Sequence, residues 1–400
     1  MQMRAQRALA LLLACAALAL IAVVQRAPRP ATPGIKTVQR RVKRIQNVAQ
    51  YLDMRTRMRT AQQVAPVEWV DVEMDAPDTT DRLTLRMLAR MATIAYYPNV
   101  TSMPDSPGWR HSWSFGWEDN GIRGHVFADE KNKHIIVALK GTSASLLPGG
   151  GDTAKRDKDN DNLFFSCCCA RVTSSWTPVC GCYDDARRKC DSSCVSRALI
   201  ERSLYYPAAT DLYNNISYMY PESQVWMTGH SLGGALASLL GITFAVPTVT
   251  FEAPGERLAA SRLHLPLPPP ETRDEDAFAL APVTHVYNTA DPLATGACQG
   301  PSSPCSVAGY AMESRCHAGR SVIYDTVKYL GWTPGVLHHR ITTVLDELLA
   351  EDWNTRVRRA GRTPPSEEAV PPPARESACH GMYYLCLLYT SDAADDMQCV

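Results

Sequence analysis

The sequence predicts an α/β fold with a mainly parallel sheet and a disulfide-rich insertion. Short apolar and β-branched runs alternate with segments of helical spacing, which is the pattern of parallel sheets. The clearest junction lies in residues 225–240, where a strand-like run ends in Gly-His-Ser-Leu-Gly and continues as a helix-forming stretch. With 400 residues, of which 45% are hydrophobic, the chain is long enough for one large domain with appendages.

Periodicity and turn residues place the other elements around this junction. Helical spacing is found in residues 81–96, 196–220 and 341–349. The other strand-like runs are residues 121–128, 134–139, 248–251 and 283–287. Turn-forming residues separate the first two runs, so we expect them to pair as a hairpin. The alternation of the remaining runs with helical segments favours parallel pairing.

The N-terminus carries a targeting segment. Residues 8–24 are an unbroken apolar run, which we interpret as a transmembrane signal anchor behind a short cytosolic tail, residues 1–7. A cleaved signal peptide is the alternative. More basic residues follow the run than precede it, and by the positive-inside rule alone the body would be cytosolic. Residues 25–75 are predicted to be a basic, proline-rich juxtamembrane linker, helical or irregular.

The cysteines favour a lumenal body instead. Of the 14 cysteines, ten lie between residues 167 and 316. An even number behind a targeting segment predicts disulfides formed in an oxidising lumen, many of them in a cysteine-rich insertion at residues 151–194. A zinc site is the competing interpretation, but the sequence has no Cys-x-x-Cys pair. The sequons at Asn99 and Asn215 are consistent with lumenal exposure and predict N-glycosylation.

Charge and acidic motifs exclude several other functions. The net charge is zero, with 41 basic and 41 acidic residues, so nothing indicates nucleic acid as a partner. The basic run at residues 36–44 can contact anionic lipid headgroups or be a solvated linker. Residues 157–162 are acidic, but they lack the glycine and the glutamate of a calcium-binding loop. We therefore predict a solvated polar loop there, and no metal or cofactor.

The Gly-x-Ser-x-Gly motif predicts a nucleophile at Ser231. A strand followed by a helix is the setting in which a sharp turn exposes a serine hydroxyl, as in the α/β-hydrolase fold. Side chains two positions before and after that serine would collide, so glycine is required at Gly229 and Gly233. A glycine- and serine-containing loop that matches by chance is the alternative.

A nucleophilic serine needs a base, and the base needs a carboxylate to orient it. In α/β-hydrolases the acid and then the histidine follow the serine along the chain. Asp291 leaves a hydrophobic strand at the sheet edge that carries such sites, although an aspartate before proline is also common in turns. His339, which lies just before the last helix, is our choice as the base, with His338 as the alternative.

Two backbone N–H groups are candidates for an oxyanion hole. One belongs to Leu232, which follows the proposed nucleophile, and the other to Thr142 in the Lys-Gly-Thr-Ser loop after an earlier strand. Preorganised donors of this kind stabilise the developing negative charge by about 3 to 4 kcal/mol each. An ordinary Gly-Thr-Ser turn is the alternative for the second donor.

With these residues the chain resembles the class-3 (fungal-type) triacylglycerol lipases. Within that family it is most similar to the autophagy-related vacuolar lipases that break down autophagic bodies. The resemblance covers about residues 80–350. It rests on Gly229-His-Ser-Leu-Gly-Gly and on strings that begin at Lys158, Cys167, Thr250, His285 and Gly309.

The resemblance implies a membrane-anchored lipase or phospholipase in which Ser231, Asp291 and His339 are the triad. Its substrates would be phospholipids and triacylglycerol, and residues 76–352 would be its lumenal α/β-hydrolase domain. It would be a single-pass type II membrane protein of the ER, Golgi and multivesicular bodies, delivered to the vacuole lumen. An esterase of soluble esters and a non-catalytic membrane-tethered binding protein are the alternatives.

The C-terminal residues fall outside the resemblance. Residues 353–385 are rich in proline and charge, and they predict a disordered tail. Residues 386–400 resemble a translated sequencing adapter, and we interpret them as an artefact of sequence assembly.

Overall fold

The computed structural model describes residues 34–51, 67–100, 107–118, 121–143, 153–172, 176–184, 186, 189–203, 205–272 and 276–376. The predicted cytosolic tail (1–7), the signal anchor (8–24) and the adapter-like residues 386–400 lie outside this part of the chain. Within the described residues, no helix has the length and apolar character needed to cross a membrane.

A seven-stranded sheet forms the centre of the molecule, in the order β11-β10-β9-β8-β5-β4-β3. Strands β5, β8, β9, β10 and β11 are parallel, and β3 and β4 form an antiparallel edge. This is the predicted α/β-hydrolase arrangement, with the predicted hairpin as β4 and β5. The strands are β1 (Thr37–Ile45), β2 (Trp69–Pro77), β3 (Trp109–Phe115), β4 (Gly124–Asp129), β5 (His134–Leu139), β6 (Tyr183–Asp184), β7 (Lys189–Cys190), β8 (Gln224–His230), β9 (Thr248–Phe251), β10 (Val283–Asn288) and β11 (Arg320–Tyr324).

Helices cover both faces of the sheet. The strand β5 alternates, so that Ile135 and Val137 pack into one core with α4 and α5, whereas Ile136 packs into a second core with α1 and the C-terminal helices. The helices are α1 (Arg82–Ile94), α2 (Ala154–Phe165), α3 (Ser192–Arg202), α4 (Tyr205–Met219), α5 (Leu232–Phe244), α6 (Arg257–Arg262), α7 (Pro304–Val307), α8 (Thr326–Leu330), α9 (Ile341–Thr343) and α10 (Trp353–Arg359). Two 3-10 turns, Ala277–Leu280 and Val336–His339, and one π turn, Val344–Leu348, complete them.

The predicted helix at residues 196–220 is two helices, α3 and α4. The chain is extended at Ser203, with φ −68° and ψ 102°, so the hydrogen-bond ladder is interrupted there. Pro207 lies in the first turn of α4. Proline has no N–H, and it is tolerated in a first turn but not in a helix interior. This residue was the sequence signal for the break.

The described part of residues 25–75 is folded, and for it the prediction of a linker is wrong. Strands β1 and β2 form an antiparallel ribbon in register from Thr37 opposite Pro77 to Ile45 opposite Trp69. Val42 and Met74 pack on Ala245 at the end of α5. Apolar residues alternate with acidic ones in β2, and this period of two favours a strand with one buried face.

The predicted disulfides are present in the cysteine-rich insertion and beyond it. Three disulfide bridges cross-link residues 168–194 of the insertion, and another closes a small loop after β10. Cys167 and Cys316 are disulfide-bonded as well. The other bridges join Cys168 to Cys190, Cys169 to Cys180, Cys182 to Cys194 and Cys298 to Cys305.

The segment from residue 353 to residue 376 is ordered, so the prediction of a disordered tail is wrong for it. Trp353 and Val370 are buried in the second core, and Ala374 pairs with Ser321 of β11. A few apolar residues in a charged, proline-rich stretch are enough to dock it, because their side chains are buried in the second core. Composition averages over such residues and therefore misses them.

The carboxylate of Glu376 docks this segment onto the sheet. Its Oε1 accepts hydrogen bonds from His317 Nδ1 (2.7 Å), Ser321 Oγ (2.8 Å) and the Tyr287 hydroxyl (2.9 Å). Burial alone would lower the pKa of His317, but the charge of Glu376 outweighs it and raises that pKa to about 9. Burial opposes ionisation of Glu376 too, but the charge of His317 outweighs it and holds the Glu376 pKa below its ordinary value.

We expect the stabilisation by this ion pair to depend on pH in a defined direction. The contribution of His317 is complete below its ordinary pKa of 6.5, and it is lost as the pH rises through about 9. The contribution of Glu376 is present above its ordinary pKa of 4.5 and is lost on acidification. Glu376→Gln should therefore lower the free energy of unfolding most between about pH 5 and 6.5, and least near pH 9.

Urea unfolding at pH 5.5, 7.5 and 9 measures this difference. The matched control is Glu367→Gln, because Glu367 forms an exposed ion pair with Arg358 and should show little effect at any of these pH values. A loss of stability in Glu376→Gln that is the same at all three pH values would contradict the expectation.

Candidate active site

The turn between β8 and α5 has the geometry of a nucleophile elbow. Ser231 adopts φ 57° and ψ −133°, an unfavourable conformation for a residue with a side chain. A Cβ atom at Gly229 would collide with the backbone of Gly233, and one at Gly233 would collide with the backbone of Leu139 and Lys140. Both predicted glycines are therefore required by close backbone approach.

Ser231, His339 and Asp291 are hydrogen-bonded in a row. The Ser231 hydroxyl donates to His339 Nε2 at 2.8 Å, and His339 Nδ1 donates to Asp291 Oδ2 at 2.7 Å. Asp291 is fully buried and Ser231 is 7% exposed. The neighbouring His338 instead stacks on Trp332, with ring centroids 4.6 Å apart. The structure thus brings His339, and not His338, to the serine.

A second buried carboxyl group, Glu252, supports Asp291. Burial and then the charge of Asp291 raise the pKa of Glu252 well above its ordinary value, which favours the neutral form that can donate its hydrogen bond to Asp291. Burial also disfavours the charge on Asp291, but His339 and Glu252 outweigh it and hold the Asp291 pKa below its ordinary value. Asn288 Nδ2 donates to Glu252 Oε1 at 2.9 Å.

Sequence reasoning missed Glu252, although a signal existed. It follows β9 directly, and the carboxyl ends of parallel strands share one edge of the sheet with the site. An acidic residue at that position, before Ala-Pro-Gly, could have been placed beside Asp291.

The predicted oxyanion residues lie on both sides of Ser231. Leu232 begins α5, where the first N–H groups of a helix have no intrahelical acceptor. Gly141 lies against the serine, because a Cβ atom there would be 3.1 Å from Ser231 Cβ. Thr142 follows it, and its Oγ1 donates to Asp161 Oδ2 at 2.7 Å. The structure thus places the Gly141–Thr142 loop beside the elbow.

Residues 157–162 lie in helix α2, and four of them, Asp157, Asn160, Asp161 and Asn162, are buried, so the prediction of a solvated polar loop is wrong. Asp157 Oδ2 accepts a hydrogen bond from the backbone N–H of Ser143 at 2.8 Å, next to Thr142. Burial is the main cause that raises the pKa of Asp161 to about 8. Asp157 and Asp161 are four residues apart and share one helix face, which is the spacing that could have indicated a joint role.

Among the described residues, two groups of side chains have the composition of a metal site. Cys169, Cys180 and Cys182 are all in disulfides. The other group is Glu256, His285 and His317. The raised pKa of His317 keeps it cationic, and its ring nitrogens bond Glu376 and the Ala253 carbonyl, so it offers no free lone pair. We assign these groups to structural roles.

The two sequon asparagines lie on the surface. Asn99 follows the end of α1 and Asn215 lies within α4, and both are exposed. Glycosylation at these positions remains a prediction.

The sheet, the elbow and the hydrogen-bonded serine, histidine and carboxylate define an α/β-hydrolase. The family model "Lipase (class 3)" matches residues 172–252. A protein named "Putative lipase ATG15" from Mycosarcoma maydis is 56% identical over 330 residues, which are 82% of this chain and 64% of that protein. A protein of the same name from Cryptococcus neoformans is 51% identical over 319 residues, which are 79% of this chain and 58% of that protein.

The chain is thus similar to the class 3 lipases in residues 172–252 and to these two relatives over about four fifths of its length. It spans about half to two thirds of the length of the curated relatives it matches. Among solved structures, the Lip2 lipase from Yarrowia lipolytica matches with 14% identity and a TM-score of 0.34, over 62% of this chain and 81% of that one.

The strained backbone of Ser231 leads to a prediction about stability. Glycine adopts positive φ without strain, so Ser231→Gly should relieve a conformation that costs about 1–3 kcal/mol, less about 0.5–1 kcal/mol for glycine's greater unfolded-state entropy. Ser231→Ala loses the same hydroxyl but keeps the strain. We therefore expect Ser231→Gly to exceed Ser231→Ala by about 1 kcal/mol in the free energy of unfolding. Urea unfolding of both variants is the measurement, and equal stabilities would argue against strain.

Proposed function

We propose that this protein is a serine hydrolase of acyl esters in membrane lipids. The observation that carries the proposal is the unbroken hydrogen-bonded row from the Ser231 hydroxyl through His339 to the buried Asp291. Similarity to the class 3 lipases and to proteins named putative lipases supports lipid substrates.

In the proposed reaction, Ser231 Oγ attacks the ester carbonyl carbon while its proton passes to His339 Nε2. The backbone N–H groups of Leu232 and Thr142 hold the oxyanion that forms. The tetrahedral intermediate collapses, and the leaving alcohol takes the proton from His339. Water then attacks the acyl-enzyme with His339 as base, which releases the fatty acid and restores the serine hydroxyl. Asp291 stabilises the imidazolium in both halves.

Two exposed apolar side chains support an aggregated lipid substrate over a soluble ester. Leu337 is 62% exposed and Val336 is 36% exposed, and they precede His339 in the same short turn. Exposed Arg340 follows directly. An apolar edge flanked by a cation beside the reacting groups fits a bilayer, whose acyl chains and anionic headgroups offer the complementary chemistry.

The same proposal extends to the cellular setting. The apolar run at residues 8–24 supports a type II anchor, and the disulfides support a lumenal body. We propose delivery through the ER, Golgi and multivesicular bodies to the vacuole. There the protein would hydrolyse phospholipids and triacylglycerol in the membranes of autophagic bodies and intralumenal vesicles.

The first test is Ser231→Ala in the full chain. If the triad acts as a unit, turnover on phospholipid vesicles should fall by a factor of about 10⁶. Labelling of the serine by a fluorophosphonate probe should disappear at the same time. Hydrolysis that survives the substitution would reject Ser231 as nucleophile, and hydrolysis of soluble esters without vesicle hydrolysis would reject the lipid substrate.

The second test concerns the apolar edge. Leu337→Asp should reduce binding and hydrolysis of phospholipid vesicles by about 10-fold or more, because it replaces a burial term of about 1.5–3 kcal/mol with a charge. Vesicle sedimentation and fatty-acid release are the measurements. The control is Val307→Asp, since Val307 on α7 is 79% exposed and outside the proposed edge. An equal effect of both substitutions would contradict a docking role for Leu337.

A further inference from the structure

The turn that carries His339 is held with little help from packing. None of the four residues in Val336–His339 is buried. Its position therefore depends on hydrogen bonds and on two ring contacts, His338 with Trp332 and His339 with His230. Gly335 N–H donates to the Ala290 carbonyl at 2.9 Å, and Asn288 Nδ2 donates to the His338 carbonyl at 3.2 Å.

A further hydrogen bond, from His230, reaches the backbone of His339 itself. Its Nε2 donates to the backbone carbonyl of His339 at 2.7 Å. His230 directly precedes Ser231, so two consecutive residues of the elbow contact the same histidine. Ser231 contacts its ring, and His230 contacts its main chain. The two imidazole rings lie 5.0 Å apart.

The His339 carbonyl and the Tyr96 hydroxyl together determine which nitrogen of His230 carries the proton. Its hydroxyl lies 2.7 Å from His230 Nδ1. A carbonyl can only accept, so Nε2 must carry the hydrogen that points at His339, and Nδ1 must accept from Tyr96. Without this donor, the tautomer with the proton on Nδ1 would aim a lone pair at the His339 carbonyl.

The same tyrosine touches the oxyanion loop. A Cβ atom at Gly141 would collide with the Tyr96 hydroxyl and with the His230 carbonyl, so these groups are in close contact with that glycine. Tyr96 follows α1, which packs in the second core, whereas α5 of the elbow packs in the first. A single chain of contacts therefore joins the Gly141 loop, Tyr96, His230 and the turn of His339.

We propose that His230 and Tyr96 are a positioning pair that fixes the turn of His339 against the elbow, so that Nε2 of His339 stays within hydrogen-bond reach of Ser231. This inference rests on the proposed serine-hydrolase function. Neither residue takes part in bond making or breaking; the pair acts through the placement of the base. A misplacement of about 1 Å in such a site costs about 100-fold in rate.

His230 also keeps its neutral form while the base changes charge. Burial is the main cause that lowers its pKa to about 3, and the neighbouring His339 lowers it further. His230 therefore remains an N–H donor to the carbonyl, with a vacant Nδ1 for Tyr96, in acidic as well as neutral solution. It adds no positive charge beside His339 when that ring becomes an imidazolium.

The test compares His230→Leu, His230→Gln and Tyr96→Phe in the full chain. His230→Leu should lower kcat on a soluble short-chain ester by about 10- to 100-fold with little change in KM, because the base is misplaced while substrate binding is not. His230→Gln presents an N–H at similar reach and should recover most of the loss. Tyr96→Phe keeps the ring but removes the hydroxyl. Its kcat should lie between the kcat values of His230→Leu and His230→Gln.

The chain offers a matched control in His125. It too is a buried histidine with one ring nitrogen on a hydroxyl, Ser114 (2.9 Å), and one on a backbone carbonyl, Tyr97 (2.8 Å). His125→Leu should lower the Tm as His230→Leu does, but leave kcat within about 2-fold. A loss of kcat in both variants that follows the loss of Tm would reduce His230 to a structural residue and overturn the proposal.

Hydrogen exchange of the turn tests the inference apart from the chemistry. Amides of residues 335–340 should exchange faster in His230→Leu than in the wild type. Their exchange rates should be unchanged in His125→Leu. Protection that is the same in all three proteins would overturn the positioning role even in an active enzyme. Faster exchange in a protein whose Ser231 neither reacts with fluorophosphonate nor supports hydrolysis would instead keep the positioning role and reject the proposed function.

Discussion

Backbone contact between Gly229 and Gly233 is the constraint on which the rest of the site depends. It allows β8 to turn directly into α5 and forces Ser231 into a conformation that a side-chain-bearing residue otherwise avoids. Since β8 lies in the middle of the sheet, the ends of its neighbours β5 and β9 meet at the same place. Because of this strand order, the loop with Gly141 reaches the serine and the carboxyl group of Glu252 reaches Asp291.

The elbow was predictable because its information is local. Strand, glycines, serine and helix occupy one continuous stretch, and the steric reason for the glycines needs no distant partner. The choice between His338 and His339, in contrast, depends on a residue outside the local sequence. Both are adjacent in sequence and equally suited chemically, and what separates them is that Trp332 stacks on one ring and leaves the other for Ser231.

The errors share a physical cause. Helix α2 is polar in composition and looks solvated, yet its carboxylates are buried because Thr142, Ser143 and Tyr205 supply hydrogen bonds from elsewhere in the chain. The same holds for the terminal segments. Val42 is buried by Ala245 and Glu376 by His317, and neither contact has a trace in the local pattern. Average polarity indicates exposure only where no distant partner exists.

If residues 8–24 form the proposed anchor, the position of β1 limits how far the folded body can lie from the membrane. For a chain anchored through residues 8–24, only about a dozen residues separate the bilayer from the first strand, a reach of roughly 40 Å when fully extended. The catalytic body would then sample a shallow shell above its own membrane, at a high local concentration relative to that surface. For the proposed lipid hydrolysis, such a tether would favour the membrane that carries the protein over a distant membrane.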